Sequence, residues 1–476
     1  LIVTGVALGL ALAGCGGTGT ETAPVAPTNV AVGPDGVNVK TPGATVNVPV
    51  GDQTTPKVTP ASGIDPKTLV DVVKEEVQGG EMSAGPSPRD YLWQPASGDL
   101  KPDEPLEVNV PAGLPSIVAY VPASNPMTKA KWELGRQLYF EPRISKDTTV
   151  SCATCHNPEV GWTDGMPSSI GIKGQVGSRS APTVLNTVYG KSMFWDGRAP
   201  SLEAQSQGPP QNSIEMGDQS YKEIVERLRA IPGYQEQFRR VFGTDVTLDG
   251  MAKAIACFER TALSGNSPYD RYVGGELSAL SETQKNGMVL FGLRLNPDDP
   301  YQAEGVTLKK AMCTSCHVGA NFTDEQFHNL GVGWNAEKKS FADLGRWAVT
   351  PIGAKDNRDL GSFKTPTLRD IARTSPYMHD GSEMTLEQVV EYYDRGGNAN
   401  PSLDPDMKPL KLTKDEVKAV VAFMEALTGE VRKVELPKLP PGPDGAAPDP
   451  AKALDPPSRP ETSARDAAHG MMIRRG

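Results

Sequence analysis

Along this chain the apolar residues recur mainly at helical spacing, and stretches with the alternation of a half-buried strand are few. Thr128–Tyr139 and Tyr221–Ala230 read as helices. Asp249–Leu263 is amphipathic, with Met251, Ile255, Phe258 and Ala262 on one face. Ser281–Leu293 starts at a good cap, and Thr385–Asp394 is stopped by Gly396-Gly397. Thr413–Leu427 carries the fullest set of signals: Thr413 and Glu416 form a capping box, Val417, Val420, Val421 and Met424 make the stripe, and Gly429 ends it. The expected fold class is mainly α.

Other stretches lack such a period. Leu1 to Ala13 is apolar but too short to span a bilayer, and it reads as the end of a secretory signal. Leu12-Ala13-Gly14-Cys15 looks like a bacterial lipobox, which makes 1–15 a signal segment and Cys15 the lipidated residue. The alternative is an ordinary signal with an incidental cysteine. Gly16, where an Asp would retain the protein at the inner membrane, suggests by resemblance an outer-membrane address facing the periplasm. Such an anchor tethers a soluble body and is its only membrane contact. Residues 16–111 are rich in Thr, Pro, Gly and Val and read as a tether, with a short helix at Pro66–Val77. From 157 to 210 Gly and Pro are frequent, as in loops wrapped on a cofactor, and 436–476 reads as a disordered tail that includes His469.

The chain has 476 residues, of which 38% are hydrophobic, with 49 Gly and 43 Pro, so part of it is expected to be unpacked. Its formal net charge of −10 argues against nucleic acid and against an anionic membrane surface as partners.

The chemistry is concentrated in two pentads, Cys152-Ala153-Thr154-Cys155-His156 and Cys313-Thr314-Ser315-Cys316-His317. Two thiols three apart, followed at once by a histidine, is the attachment pattern of a c-type haem: the sulfurs bond to the porphyrin edge and the histidine ligates the iron. A zinc site would want four ligands close together, and a redox dithiol has no use for the adjacent histidine. The expectation is two covalent haems in two cytochrome c-like domains, 112–265 and 266–435. The remaining Cys257 lies beside an apolar helix face and reads as a buried, inert thiol.

A haem with two protein ligands carries electrons, whereas one with an open position admits a substrate. No histidine lies between His156 and Trp195, and Met166 and Met193 read as packing residues, so the first haem is expected to be open.

From about 114 to 430 the chain resembles the bacterial diheme cytochrome c peroxidases, in their MauG-like branch. The resemblance rests on the pentads and on Ser180-Ala181-Pro182-Thr183-Val184-Leu185-Asn186, Phe194-Trp195-Asp196-Gly197-Arg198, Glu215-Met216-Gly217, Phe363-Lys364-Thr365-Pro366-Thr367-Leu368-Arg369 and Pro376-Tyr377-Met378-His379-Asp380-Gly381. It implies reduction of hydrogen peroxide at the first haem, with electrons fed through the second. It implies that Trp195 lies between the haems, that Gln205 and Glu215 stand over the open face, and that His379 is structural. Where some relatives carry a histidine that closes the first iron until the second haem is reduced, this chain has Ile172. Where they have a methionine on the second iron, it has Tyr393, as in the MauG branch, with Tyr392 and Met378 as rivals. The resemblance also implies a calcium ion held by carbonyls of Thr374 and Pro376 and by Ser180 in place of the usual Asn. His328 reads as a hydrogen-bonding partner. The electron source is a small periplasmic redox protein or, as in MauG, an oxidised protein substrate, and a homodimer is common in the family. The competing reading from another class is a non-catalytic diheme electron-transfer cytochrome; a haem sensor is a third, with no output domain in sight.

Overall fold

The computed structural model describes residues 104–458 and, before them, the backbone of three short strands. Those strands lie in a compact unit of their own, 1–85, separate from the unit 86–476. β1 (Asn29–Gly33), β2 (Gly36–Thr41) and β3 (Ala44–Val48) form an antiparallel meander with Val32 opposite Val37 and Val39 opposite Val46. This corrects the tether reading of 16–111 over 29–48. The alternation Val37-Asn38-Val39-Lys40 is a strand signal in the sequence. Cys15, the helix expected at Pro66–Val77 and His469 lie outside the described residues.

The larger unit is helical. α1 (Lys129–Tyr139), α2 (Tyr221–Arg229), α3 (Pro232–Phe242) and α4 (Leu248–Glu259) surround the first pentad's side of the chain. α5 (Glu282–Phe291), α6 (Leu386–Asp394) and α7 (Lys414–Glu425) serve the second. The caps fall where the sequence placed them: Thr128 accepts from Lys131 N–H, and Ser281, Thr385 and Thr413 each close a capping box. α4 ends at Glu259 rather than Leu263, because Ala262 and Leu263 turn off toward the short strand Ser264–Gly265. The sequence reading missed α3, whose Tyr234 and Phe238 are buried and whose Pro232 sits in the first turn, where its missing N–H costs nothing.

Each half is built on one close helix crossing. Gly135 of α1 meets α4 so tightly that a Cβ there would collide with the Ala254 carbonyl, with Phe258 Cβ only 3.1 Å away. Gly287 of α5 meets α7 in the same way, against the Ala419 carbonyl and Phe423. The first crossing anchors an aromatic cluster of Tyr139, Trp162 and Phe258, and the second one of Phe291, Phe322 and Phe423. Trp162 and Phe322 both take left-handed backbone conformations after their pentads, at φ 61° and 51°. A buried ion pair, Arg369 to Asp270 at 2.8 Å, also ties Arg369 to the Gly113 carbonyl.

Packed chain extends beyond both expected edges. Before 112, Leu106 N–H donates to the Met127 carbonyl, and Val108 and Val110 pack beside Ile117, Tyr189 and Leu263. After 435 the tail reading shifts outward: Leu439 and Ala453 are buried, and Leu454 packs on the first core. Composition hid this, since a Pro-rich segment can lie extended on a surface without any period of its own.

Gly135→Ala would raise helix propensity by up to about 1 kcal/mol. The backbone collision should outweigh that gain, giving a net loss of about 1–3 kcal/mol in urea unfolding. Gly287→Ala should behave alike, and a neutral outcome would show that the helices can part freely.

Candidate active site: two haem-attachment pentads

In the first pentad Cys152–Cys155 forms a single helical turn, held by Ser151 N–H donating to Thr154 Oγ1 at 2.9 Å. Tyr139 of α1 donates its hydroxyl to the His156 carbonyl at 2.7 Å, so the helix crossing positions the histidine. His156 is held neutral by burial, and its Nδ1 has no hydrogen-bond partner. In the second pentad His317 is likewise neutral by burial, and its Nδ1 is 2.9 Å from the Phe322 carbonyl. Donation from that nitrogen leaves Nε2 free as a metal ligand.

The cysteines fit thioethers better than thiolates. Burial pushes Cys155 and Cys313 each up to about 12, and Cys152 further in the same direction. A thiolate metal site needs the opposite surroundings. Among the described residues one group of three potential metal ligands lies close together, Cys316, Asp324 and His328, and it lacks the fourth ligand of a structural zinc site. An apolar cavity lined by Cys313, Cys316, His317 and Tyr393 lies beside the second pentad, with Trp195, Met378 and His379 also on its wall. These residues suit a covalently attached haem.

The two halves diverge around their pentads. Met193 bridges to Ala199 and Tyr377 to Glu383 at the same spacing, which puts Trp195 level with His379 and Ser201 level with Thr385. From Thr385 the helix α6 runs on to Asp394 and delivers Tyr393 to the cavity. Tyr392 turns away and donates its hydroxyl to the Leu330 carbonyl at 2.8 Å. Burial, reinforced by the Cys316 and Cys313 sulfurs, pushes the Tyr393 phenol far up, so a phenolate there needs a cation beside it. From Ser201 the matching turn stops at Gln205, and Pro209 stands where α6 has Tyr393. Proline cannot continue that helix, and the chain leads instead to Glu215.

Glu215 is half-buried and accepts from Asn212 Nδ2 at 2.8 Å. Burial raises its carboxyl above the ordinary range, while Arg198 and Arg179 pull it down. It lies close enough to Cys155 to raise that thiol too. Its carbonyl accepts from Ile172 N–H at 3.0 Å, and the Ile172 side chain is buried in the first core. Gln205 is half-buried at the end of a turn whose Glu203 is pinned by Arg260 at 2.8 Å and by Asn125 at 2.8 Å. Trp195 donates Nε1–H to the Ser180 carbonyl at 2.9 Å, and its own carbonyl accepts from Lys364 N–H at 2.7 Å. It thus joins the halves. Ser180 Oγ donates to the Met166 carbonyl at 3.3 Å, and Thr374 and Pro376 lie on the wall of the second cavity. Met193 is core, packed with Leu202 and Ala256.

A profile of the family described as di-haem cytochrome c peroxidase matches residues 129–278, and a cytochrome c profile matches 302–428. The methylamine utilization protein MauG of Methylorubrum extorquens is 40% identical over 67% of this chain and 84% of its own. The cytochrome c551 peroxidase of Nitrosomonas europaea is 40% identical over 65% of this chain and 83% of its own. A crystal structure of a MauG-like protein associated with microbial copper homeostasis is 29% identical, with a TM-score of 0.57 over 71% of this chain and 96% of that one. The chain belongs to the di-haem cytochrome c peroxidase family.

As a member of that family it is an oxidoreductase with two c-type haems, one in each matched segment. The Arg179 clasp escaped the sequence reading, whereas His328 was expected there as a hydrogen-bonding partner. Arg179 clasps Asp343 at 2.6 Å and Asp196 at 2.6 Å, and so fixes the Trp195 segment to the second half. His328 sits between Asp404 at 2.7 Å and Asp324 at 3.0 Å, as a hydrogen-bonding partner beside the second pentad. The matching of Ala181-Pro182-Thr183 with Thr365-Pro366-Thr367 was an available signal of the internal repeat. No helix among the described residues is long and apolar enough to cross a membrane.

Cys257 is wholly buried, and burial pushes its thiol to about 11. In the haem-loaded protein, iodoacetamide should label none of the pentad cysteines and reach Cys257 only after unfolding. Mass spectrometry that finds a labelled pentad cysteine would reveal an unloaded haem site.

Proposed function

We propose that this family member reduces hydrogen peroxide at an open first haem and takes its electrons through a second haem closed by Tyr393. The observation that carries this reading is the break at Gly208-Pro209-Pro210, which removes from the first half the helix segment that bears Tyr393 in the second. Haem bound at the first pentad would be held by Cys152, Cys155 and His156 and would supply the redox-active iron that peroxide needs.

The chain's own residues do the rest. Glu215 takes the proton from the inner oxygen of peroxide and returns it to the outer one, which leaves as water. Burial raises its carboxyl above the ordinary range, which favours such a proton exchange over permanent ionisation. Gln205 orients the peroxide by hydrogen bonding. Ile172, held in the core, leaves the position unblocked, so no prior reduction is needed. Trp195, between Ser180 and Lys364, relays electrons from the second site. A Tyr393 phenolate on the second iron would lower its potential relative to a methionine. A calcium ion on the Thr374 and Pro376 carbonyls and Ser180 would brace the junction.

The apolar Leu1–Ala13 segment and Cys15 support export and lipid anchoring at the outer membrane, facing the periplasm. Electrons come from a small redox protein there or, as the resemblance to the MauG-like branch implies, from a protein residue that is itself oxidised. A homodimer fits this reading.

In the fully oxidised protein, stoichiometric peroxide should perturb the Soret band within seconds. A band that stays unchanged until a reductant is added would turn the assignment toward an electron carrier. Glu215→Gln should slow the peroxide step by a factor on the order of 10² to 10⁴. The acid limb of the kcat/KM profile should lie above the ordinary carboxylate range, since the rate falls as Glu215 is protonated. Arg198→Ala removes a cation that favours the carboxylate, so this limb should move to higher pH; a shift the other way excludes Glu215 as the base.

Tyr393→Phe should change the absorption and raise the potential of the second haem, whereas Tyr392→Phe should leave both alone. A methionine-type near-infrared band in the wild type would assign that position to Met378 instead.

A further inference from the structure

The chain after α7 does not stop at the second half. The ladder pairs Ser264 with Val431 and Gly265 with Glu430, and the chain then crosses back over the first half. Arg136 donates to the Glu435 carbonyl at 2.5 Å, and Arg143 to the Pro440 carbonyl at 2.9 Å. The segment ends on the first pentad itself. Thr154, the third residue of Cys-Ala-Thr-Cys-His, donates its hydroxyl to the Ala453 carbonyl at 2.6 Å. That hydrogen bond is buried, with Ala153 0%, Thr154 1% and Ala453 1% exposed. Among the described residues the second pentad has no such cover: its turn Cys313–Ser315 contains no buried residue, and Leu308 and Val318 beside it are exposed.

We infer that residues 436–455 form an insulating strap, which covers the attachment turn of the first haem so that a one-electron donor protein can reach only the second. The thioether edge of a c-type haem lies under its attachment turn, and electron transfer falls exponentially with distance. A buried turn under a layer of chain on one side and a half-exposed turn on the other therefore select the point of entry. Each electron leaves the donor, which is oxidised, reduces the second haem, and passes on to the first. Two such transfers with two protons balance the conversion of one hydrogen peroxide to two waters. The inference rests on the reading that the second haem is the entry site, and it adds how direct entry at the first is prevented.

The test uses the haem-loaded full-length protein without peroxide. Oxidised protein is mixed in a stopped-flow instrument with reduced flavodoxin, a low-potential one-electron donor protein. In the wild type the first haem should be reduced at a rate independent of flavodoxin concentration, behind the second. Ala453→Asp puts a carboxylate in the buried seat and lifts the strap, and hydrogen exchange of 436–455 and of Ala153-Thr154 reports the release. That variant should gain a first-haem phase proportional to flavodoxin, in the range of about 10⁵–10⁷ M⁻¹s⁻¹ usual for protein docking. Thr154→Val, which keeps the volume and removes only the hydrogen bond, should give the same phase at smaller amplitude, and it serves if the charged variant loads haem poorly. A wild-type first-haem phase that already scales with flavodoxin overturns the inference, as does a released strap with no new phase. Peroxide turnover of the same samples is measured separately, so a chain that fails as a peroxidase can still pass or fail this test.

Discussion

Two helices meet backbone to backbone at Gly135 and Ala254, and the rest of the first half takes its position from that contact. A side chain at 135 would push α1 off α4, and with it Tyr139, whose hydroxyl holds the His156 carbonyl. The aromatic cluster of Tyr139, Trp162 and Phe258 fills the space the crossing leaves. The second half repeats the device at Gly287 and Ala419. The haem sites are thus set by two close-packed crossings, which are rigid because neither backbone can give way.

On this common frame the halves have grown apart through short local changes. A Pro at 209 ends a turn that in the other half runs on to Tyr393. Trp195 stands where the second half has His379, which stacks on Phe363 with ring centroids 3.5 Å apart. Burial holds that histidine neutral, down to about 4, so it adds no charge beside the Arg179–Asp343 pair. The first half thereby has a carboxyl where the chain turns off at Pro209, and the second a phenol on the wall of its cavity.

The junction between the halves is polar and heavily tied. Arg179 reaches Asp196 and Asp343, Lys364 reaches the Trp195 carbonyl, and Arg369, almost wholly buried in its pair with Asp270, reaches across to the Gly113 carbonyl. Breaking one partner of such a pair leaves a charge without compensation. These contacts hold the Trp195 segment on the wall of the second cavity while its sequence neighbours belong to the first half.

By itself the sequence determined the mainly helical class, the two pentads and the caps of the principal helices, because each of these is a local pattern of spacing. It also placed Glu215 and Tyr393 as candidates through motifs of fixed order. Only the tertiary structure put Tyr393 on the cavity wall and Tyr392 on the Leu330 carbonyl, since adjacent residues on a helix differ by about 100° and what each faces depends on packing. Only the structure laid 436–455 across Thr154, because an extended Pro-rich segment carries no period and its partner Thr154 lies 299 positions before Ala453. Residues brought together from distant parts of the chain, such as Arg179 with Asp343 or His328 with Asp404, follow from packing that no local spacing encodes.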